Sequence, residues 1–428
     1  MAAATPVRVA TAAAKTPWRM SAGGISSSQC KSRFVSTAAS THRKADGSRF
    51  TALPSISSTS SRSLSTSSSP SPPRFSYHVA SSFNGKDRRY DRSSHVFHFN
   101  PYNRIQPPRS RRRSSRPDSG HDAFFVSRVR DTGCVAFGVA DGVGGWVDSG
   151  VDPADFAHGL CDFMAASAYT YDAVQSGRPT ARRIMQTGYD ALCKDESVQA
   201  GGSTACVGVA APDGTLDVAN LGDSGFLQFR LNAVNAYSDP QTHDFNTPFQ
   251  LSLVSRRHAT LMTVFGGTQL CDFPRDADVS QHHVRHGDIL MFATDGVLDN
   301  LFRHDILKIA SRVMMSTGAW KRSPSGGVIV ADTIDSLIKP PATVAGETSE
   351  PDGRIVWPKS VTTLQSVLAT EIVGAAKAAS INTKVDGPFA KEVLKYFPRE
   401  PWRGGKVDDI CVVIAVVTED SSSARAKL

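Results

Sequence analysis

The sequence predicts an α+β protein in which packed β-sheets are covered by helices. Two observations carry that expectation. Short runs rich in Val, Ile, Phe and Leu recur between residues 75 and 417 and read as buried strands. Paired segments with helical spacing lie between and after them, so helices are available to cover the sheets. No internal repeat is visible, and the expected unit is one large domain at about 75–420.

Taken in order, Phe75-Ser-Tyr-His-Val-Ala80 alternates as a first strand, and the polar, Arg-, Ser- and Asn-rich stretch 85–118 reads as an inserted loop. Strands are expected at 123–129 and 133–140. Asp152-Pro-Ala-Asp155 opens a helix, with Asp152 as N-cap, Pro153 at the first helical position, and Phe156, Leu160, Phe163 and Met164 at helical spacing. A second helix is expected at 179–195. Strands resume at 203–211, 215–221 and 225–231, joined by turns at Pro212-Asp-Gly214 and Gly222-Asp-Ser-Gly225. Residues 232–280 read as mostly loop with short strands. A strand at 288–294 leads to helices at 305–315 and 327–338. A loop with four prolines covers 340–360, helices at 361–379 and 388–396 follow, and a last strand begins at Ile410. Residues 421–428 form a polar tail.

The net charge of +8 hides a division. Residues 1–117 carry 20 Lys+Arg against 3 Asp+Glu, a net of +17, and the remainder carries 28 against 37, a net of −9. The basic charge lies in the leader and in Arg109-Ser-Arg-Arg-Arg-Ser-Ser-Arg116, and the folding part is acidic. No aromatics interleave the basic block, so it reads as a solvated loop and nucleic acid is not an expected partner. Residues 1–74 are dense in Ser, Thr, Ala and basic residues, with Asp46 as their single acid. That composition cannot bury a core and describes a disordered organelle-targeting leader. The seven scattered cysteines, with no Cys-x-x-Cys, argue against a disulfide framework and a structural zinc. The C-terminal apolar run is too short to span a bilayer. A soluble enzyme of an organelle matrix or stroma is expected.

The chemistry concentrates in three aspartates at the ends of apolar runs: Asp141 before Gly142, Asp295 before Gly296, and Asp408 with Asp409 leading into Ile410. An Asp beside Gly at a strand end puts a carboxylate where backbone can approach a ligand closely. Three converging carboxylates repel unless cations sit between them, which is the chemistry of a hard-oxygen metal site.

Six segments in this order resemble the PPM/PP2C metal-dependent protein phosphatases, most closely the mitochondrial PTC7-like branch. They are Val139-Ala-Asp-Gly-Val-Gly-Gly-Trp146, Gly202-Ser-Thr-Ala205, Ala219-Asn-Leu-Gly-Asp-Ser-Gly-Phe226, Thr242-His-Asp-Phe-Asn-Thr-Pro-Phe-Gln-Leu251, Ala293-Thr-Asp-Gly-Val-Leu-Asp-Asn300 and Lys406-Val-Asp-Asp-Ile410. The resemblance implies a central antiparallel β-sandwich flanked by helices on both faces. It also implies two Mn²⁺ or Mg²⁺ ions at one sandwich edge, with a third, weaker ion in some relatives. The implied activity is hydrolysis of phosphoserine and phosphothreonine in proteins by a hydroxide bridging the two ions, which activate it and clamp the phosphoryl oxygens. By the same resemblance Asp141 is the bridging ligand and the Gly142 carbonyl binds one ion. Asp295 and Asp408 hold the second ion, with Asp409 as the alternative to Asp408. Asp122 helps hold the first ion partly through water, and Asp223 matches the acid of the weaker third site. The implied partners are phosphorylated proteins, the implied compartment is the mitochondrion with chloroplast as the alternative, and a monomer is expected.

The chain also departs from the family. His121 stands where the family usually has Glu, and Val143 stands where many relatives carry a His. No phosphate-gripping base is evident, with an Arg of 109–116, Arg128 or Arg130 as candidates. His121 motivates a second reading, a catalytically silent module that binds phosphoproteins. Gly222-Asp-Ser-Gly225 resembles a serine-protease signature, which would make Ser224 a nucleophile, but Phe226 replaces its final Gly. His282, His283 and His286 read as a solvated strand edge rather than a metal site.

Overall fold

In this computed structural model the described residues are 74–99, 116–254, 270–339 and 361–420, with the backbone of 348–349 and 355–356. The leader at 1–73, positions 109–115 of the basic block, most of the 340–360 loop and the tail lie outside them.

Two antiparallel sheets form the centre. One has six strands in the order β2 (Val96–His98), β1 (Phe75–Asn84), β19 (Ile410–Glu419), β14 (Ile289–Ala293), β8 (Gly225–Arg230) and β9 (Ala233–Tyr237). The other has five: β13 (Asp278–His283), β7 (Thr215–Leu221), β6 (Ala205–Ala210), β4 (Val135–Asp141) and β3 (Asp122–Arg128). Three apolar clusters show why the layers stack. Cys411, Val413, Ala415 and Val417 of β19 face the space between the sheets, with Phe137, Val139, Phe226 and Phe292. Ile410, Val412, Ile414 and Val416 face the other way, onto helices Arg303–Ser316 and Leu364–Ser380. Being covered on both faces is why β19 reads as an unbroken apolar run rather than alternating. On the outer face of the second sheet, Phe125, Val207 and Val209 pack with Phe156, Leu160 and Met164 of α1 (Pro153–Tyr169) and Ile184 and Met185 of α3 (Ala181–Leu192). The short α2 (Ala173–Ser176) links those two helices. The result is the expected helix–sheet–sheet–helix sandwich.

The helix start at Asp152 is as the sequence predicts, with the Asp152 side chain accepting from Ala154 N at 3.1 Å and Pro153 in the first turn. Four expectations are corrected. Residues 327–338 are not one helix: β16 (Val328–Val330) pairs with β15 (Trp320–Arg322), and only Ile334–Leu337 is helical. The β-branched Val328-Ile-Val330 run behind the Gly326 turn, at φ 93°, favours a hairpin. Within the 85–118 loop, β2 adds an edge to the first sheet through Ser81 opposite Phe97. The 203–211 strand divides at Thr204, where β5 (Ala200–Ser203) leaves to pair with β12 (Leu251–Val254). The 232–280 region is loop with short strands, as expected: β9, the start of β13, and the small β10 (Thr242–Asp244) and β11 (Thr247–Pro248). In the 340–360 loop, β17 (Thr348–Ser349) pairs with β18 (Ile355–Val356). Six cysteines are described and all are free, with Cys134, Cys161, Cys206 and Cys411 buried. Among the described residues no helix is long and apolar enough to cross a membrane.

Candidate metal centre

Antiparallel pairing brings the end of one strand beside the start of the next, and this builds the site. Asp141, the last residue of β4, stands opposite Asp122, the first of β3. β14 ends at Ala293 opposite Val412 of β19, so Asp295, just past β14, lies at the same edge as Asp408, just before β19. Asp223 occupies the turn between β7 and β8. One carboxylate oxygen each from Asp141, Asp223 and Asp295 lies within 4.8 Å of the others.

The surrounding motifs hold these side chains in place. The Asp141 carbonyl accepts from Thr204 N at 2.9 Å and from Ser203 Oγ at 2.8 Å, and Asp141 N donates to Thr204 Oγ1 at 3.2 Å. Thr204 Oγ1 is also 2.7 Å from Ser224 Oγ, beside Asp223, so the Gly202-Ser-Thr-Ala205 segment ties two of the acids together. A side chain on Gly142 would bring Cβ to 2.7 Å from the Pro153 carbonyl oxygen, so close packing on α1 already demands glycine there. Asp122 is buried; its Oδ2 accepts from Thr294 Oγ1 at 2.7 Å, while its Oδ1 is buried without a partner, as is Oδ1 of Asp223.

Two residues that sequence reasoning did not single out complete the cluster. Lys406 Nζ lies 2.5 Å from Asp295 Oδ2, 2.7 Å from Asp299 Oδ2 and 3.0 Å from Asp408 Oδ2. Asp408 thus joins the cluster through Lys406. Asp299 could have been found from its spacing, since positions four apart share a helix face with Asp295. Asp409 takes another role: its carboxylate accepts from Lys86 N at 2.7 Å and His121 N at 2.8 Å, joining the segment after β1 to the one before β3.

The electrostatics are severe. At 4.8 Å two carboxylates repel by roughly 3 kcal/mol even at an effective dielectric near 20. Burial first, then neighbouring carboxylates, push Asp122, Asp141 and Asp223 well above the usual carboxylate range. Asp408 is raised by burial and by Asp295, and Asp299 is pushed to about 7 by burial against the opposing pull of Lys406. Asp295 differs: burial would raise it, but the Lys406 ammonium and hydrogen bonds with Lys406, Asp141 and Asp299 together hold it below the ordinary value.

A cavity of about 310 Å³ opens onto the cluster, lined by Asp141, Asp223, Asp295 and Asp408 with the Gly142–Gly145 turn; Lys86, His121 and Lys406 also line it. The basic candidates named from sequence fall elsewhere. Arg128 stands opposite Val135 at the far end of the β3–β4 ladder from Asp122, and with Arg130 it lines a different surface hollow. Arg116 pairs with Asp155 at 2.5 Å, at the start of α1, and Arg109–Arg113 lie outside the described residues. Ser224 is buried against Thr204, not an imidazole, so the serine-hydrolase reading lacks its base. His282 and His283 lie on β13 at the edge of the five-stranded sheet, and the Asp141–Asp223–Asp295 trio is the one metal-competent group among the described residues.

An all-oxygen donor set, buried, mutually repelling and with two orphaned carboxylate oxygens, fits a hard divalent cation. Layers and site together define the class: a helix-covered two-sheet sandwich with a cation-seeking edge. No protein-family model matches the chain. Among characterised proteins it is 35% identical over 265 residues to the protein phosphatase PTC7 homolog fig of Drosophila melanogaster, spanning 56% of this chain and 81% of that one. The Drosophila yakuba homolog is 32% identical over 300 residues, spanning 70% and 76%. Among solved structures, the photosystem II phosphatase PBCP aligns with a TM-score of 0.48 at 22% identity, over 70% of this chain and 92% of that one. The chain belongs to the PTC7-type protein phosphatases of the PPM/PP2C family.

Proposed function

We propose that this phosphatase is metal-dependent and hydrolyses phosphoserine and phosphothreonine in proteins. The observation that supports this most directly is the convergence of Asp141, Asp223 and Asp295 at the mouth of the cavity. Asp141, Asp295 and Asp408, with the Gly142 carbonyl, would hold two Mn²⁺ or Mg²⁺ ions; Asp122 would support the first, and Asp223 would be an optional further ligand. Bound there, the ions supply an activated water and neutralise phosphoryl charge. The chain's own part is to fix the carboxylates on rigid strand ends and to bring Lys86 and His121 into the same cavity to meet a substrate phosphoryl group. The composition of the leader and the family branch support import into mitochondria, and one phosphatase domain over about 75–420 is the matching organisation.

The test is turnover of a phosphothreonine peptide by the full chain in Mn²⁺, in Mg²⁺ and in EDTA. Activity restored by metal and lost in EDTA is expected. Folded protein with no turnover in either metal would favour the phosphoprotein-binding module that His121 suggests.

A further inference from the structure

The mechanism above leaves the Lys406 ammonium without a role. It stands among the carboxylates of Asp295, Asp299 and Asp408, with its side chain only 15% exposed. This is not a lysine reaching casually from the surface. Its backbone is clamped by one side chain: Asn300 Nδ2 donates to the Lys406 carbonyl and Asn300 Oδ1 accepts from Lys406 N, both at 2.9 Å. The preceding residues are also fixed, with Gly404 N donating to Asp386 Oδ1 at 2.8 Å and Gly405 N to the Asn382 carbonyl at 2.9 Å. The Phe389 ring lies 5.0 Å from the ammonium on its other side.

Resting on the metal-dependent reading, we propose that Lys406 is a tethered cation that fills the Asp299 side of the acidic cluster, so that the site accepts one fewer divalent ion than its carboxylates could hold. The argument is one of charge and space. Three carboxylates around one point attract a cation of either kind, and a covalently attached ammonium is present at an effective concentration on the order of millimolar or more whatever the metal in solution. Its single charge balances Asp295, Asp299 and Asp408 only in part and meets one oxygen each of Asp295 and Asp408, which leaves their other oxygens, with Asp141 and Asp223, for metal.

Equilibrium dialysis of the full chain against Mn²⁺ tests this. Lys406→Met, which keeps the length of the side chain but not its charge, is expected to bind one more Mn²⁺ per chain than wild type. Lys406→Arg is expected to match wild type. Equal or lower occupancy in Lys406→Met overturns the inference while leaving the metal reading intact; no Mn²⁺ bound by wild type overturns both. Should Lys406→Met fail to fold, acetic anhydride labelling of wild type, read by mass spectrometry, decides instead. A tethered cation stays protected at saturating Mn²⁺, and labelling of Lys406 that rises with Mn²⁺ shows displacement and overturns the inference.

Discussion

Asp141 combines two demands, since its backbone is fixed by three hydrogen bonds with residues 203 and 204 while its side chain faces two like charges. Asp141→Asn keeps the shape and removes one charge. Turnover is expected to fall more than about 100-fold, the scale on which even outer-shell losses act at metal sites. The metal-free protein should melt at the same temperature as wild type or higher, because a buried repulsion is relieved. A folded Asp141→Asn with wild-type turnover would remove Asp141 from the metal centre. Lys86 makes a milder case. Lys86→Ala is expected to raise KM for a phosphopeptide about tenfold, the value of one charge-assisted contact near 1.4 kcal/mol, with a smaller effect on kcat. An unchanged KM would show that Lys86 does not meet the phosphate. His121 stood out in the sequence beside Asp122, but Lys86 did not, because chain position says nothing about which loop folds over a strand end.

At the scale of elements, the helix signals in the sequence were local and therefore legible. Asp152 and Pro153 begin α1 as their residue types require, and Asp152→Ala is expected to cost about 1 kcal/mol in chemical denaturation, with the transition slope unchanged. A loss near zero would mean the cap is replaced by water. The Val328-Ile-Val330 segment shows the limit of local reading. It lies in a stretch that a helical spacing also fits, and only pairing with Trp320–Arg322 decides for strand. The extent of the β13 strand was not legible for the opposite reason. Its Asp278-Val-Ser-Gln-His-His283 sequence is mostly polar, as suits a sheet edge, and it carries no apolar run to announce it.

At the scale of the whole molecule, buried imidazoles carry acid sensitivity. His78, whose ring lies 2.9 Å from Thr418 Oγ1 between β1 and β19, is lowered to about 4 by burial and then by the nearby Lys339. His158 on α1 is likewise lowered to about 4, by burial and then by Arg116. In the unfolded chain both protonate near 6.5, so as the pH falls from 6.5 toward 4 the unfolded state gains protons that the folded state refuses. The contribution of these two histidines to the unfolding free energy therefore falls with pH across that window. His158→Gln is expected to make the decline shallower by about 1–3 kcal/mol between pH 7 and pH 4.5, read from denaturant midpoints. A slope equal to wild type would show that His158 does not contribute.

By itself the sequence determined the α+β class, most strand and helix positions, the family resemblance, and the aspartates at strand ends. These follow from hydrophobic period, capping chemistry and Asp–Gly turns, all of which act over a few residues. Tertiary structure alone decided which carboxylates meet. It separated Asp408, held at Lys406, from Asp409, whose carboxylate joins two loops, and it placed Arg128 and Arg130 away from the site. It also put the Lys406 ammonium among three acids drawn from two segments more than a hundred residues apart. Electrostatic energy depends on distances in space and on burial, and neither is written in the order of the chain until the two sheets have packed.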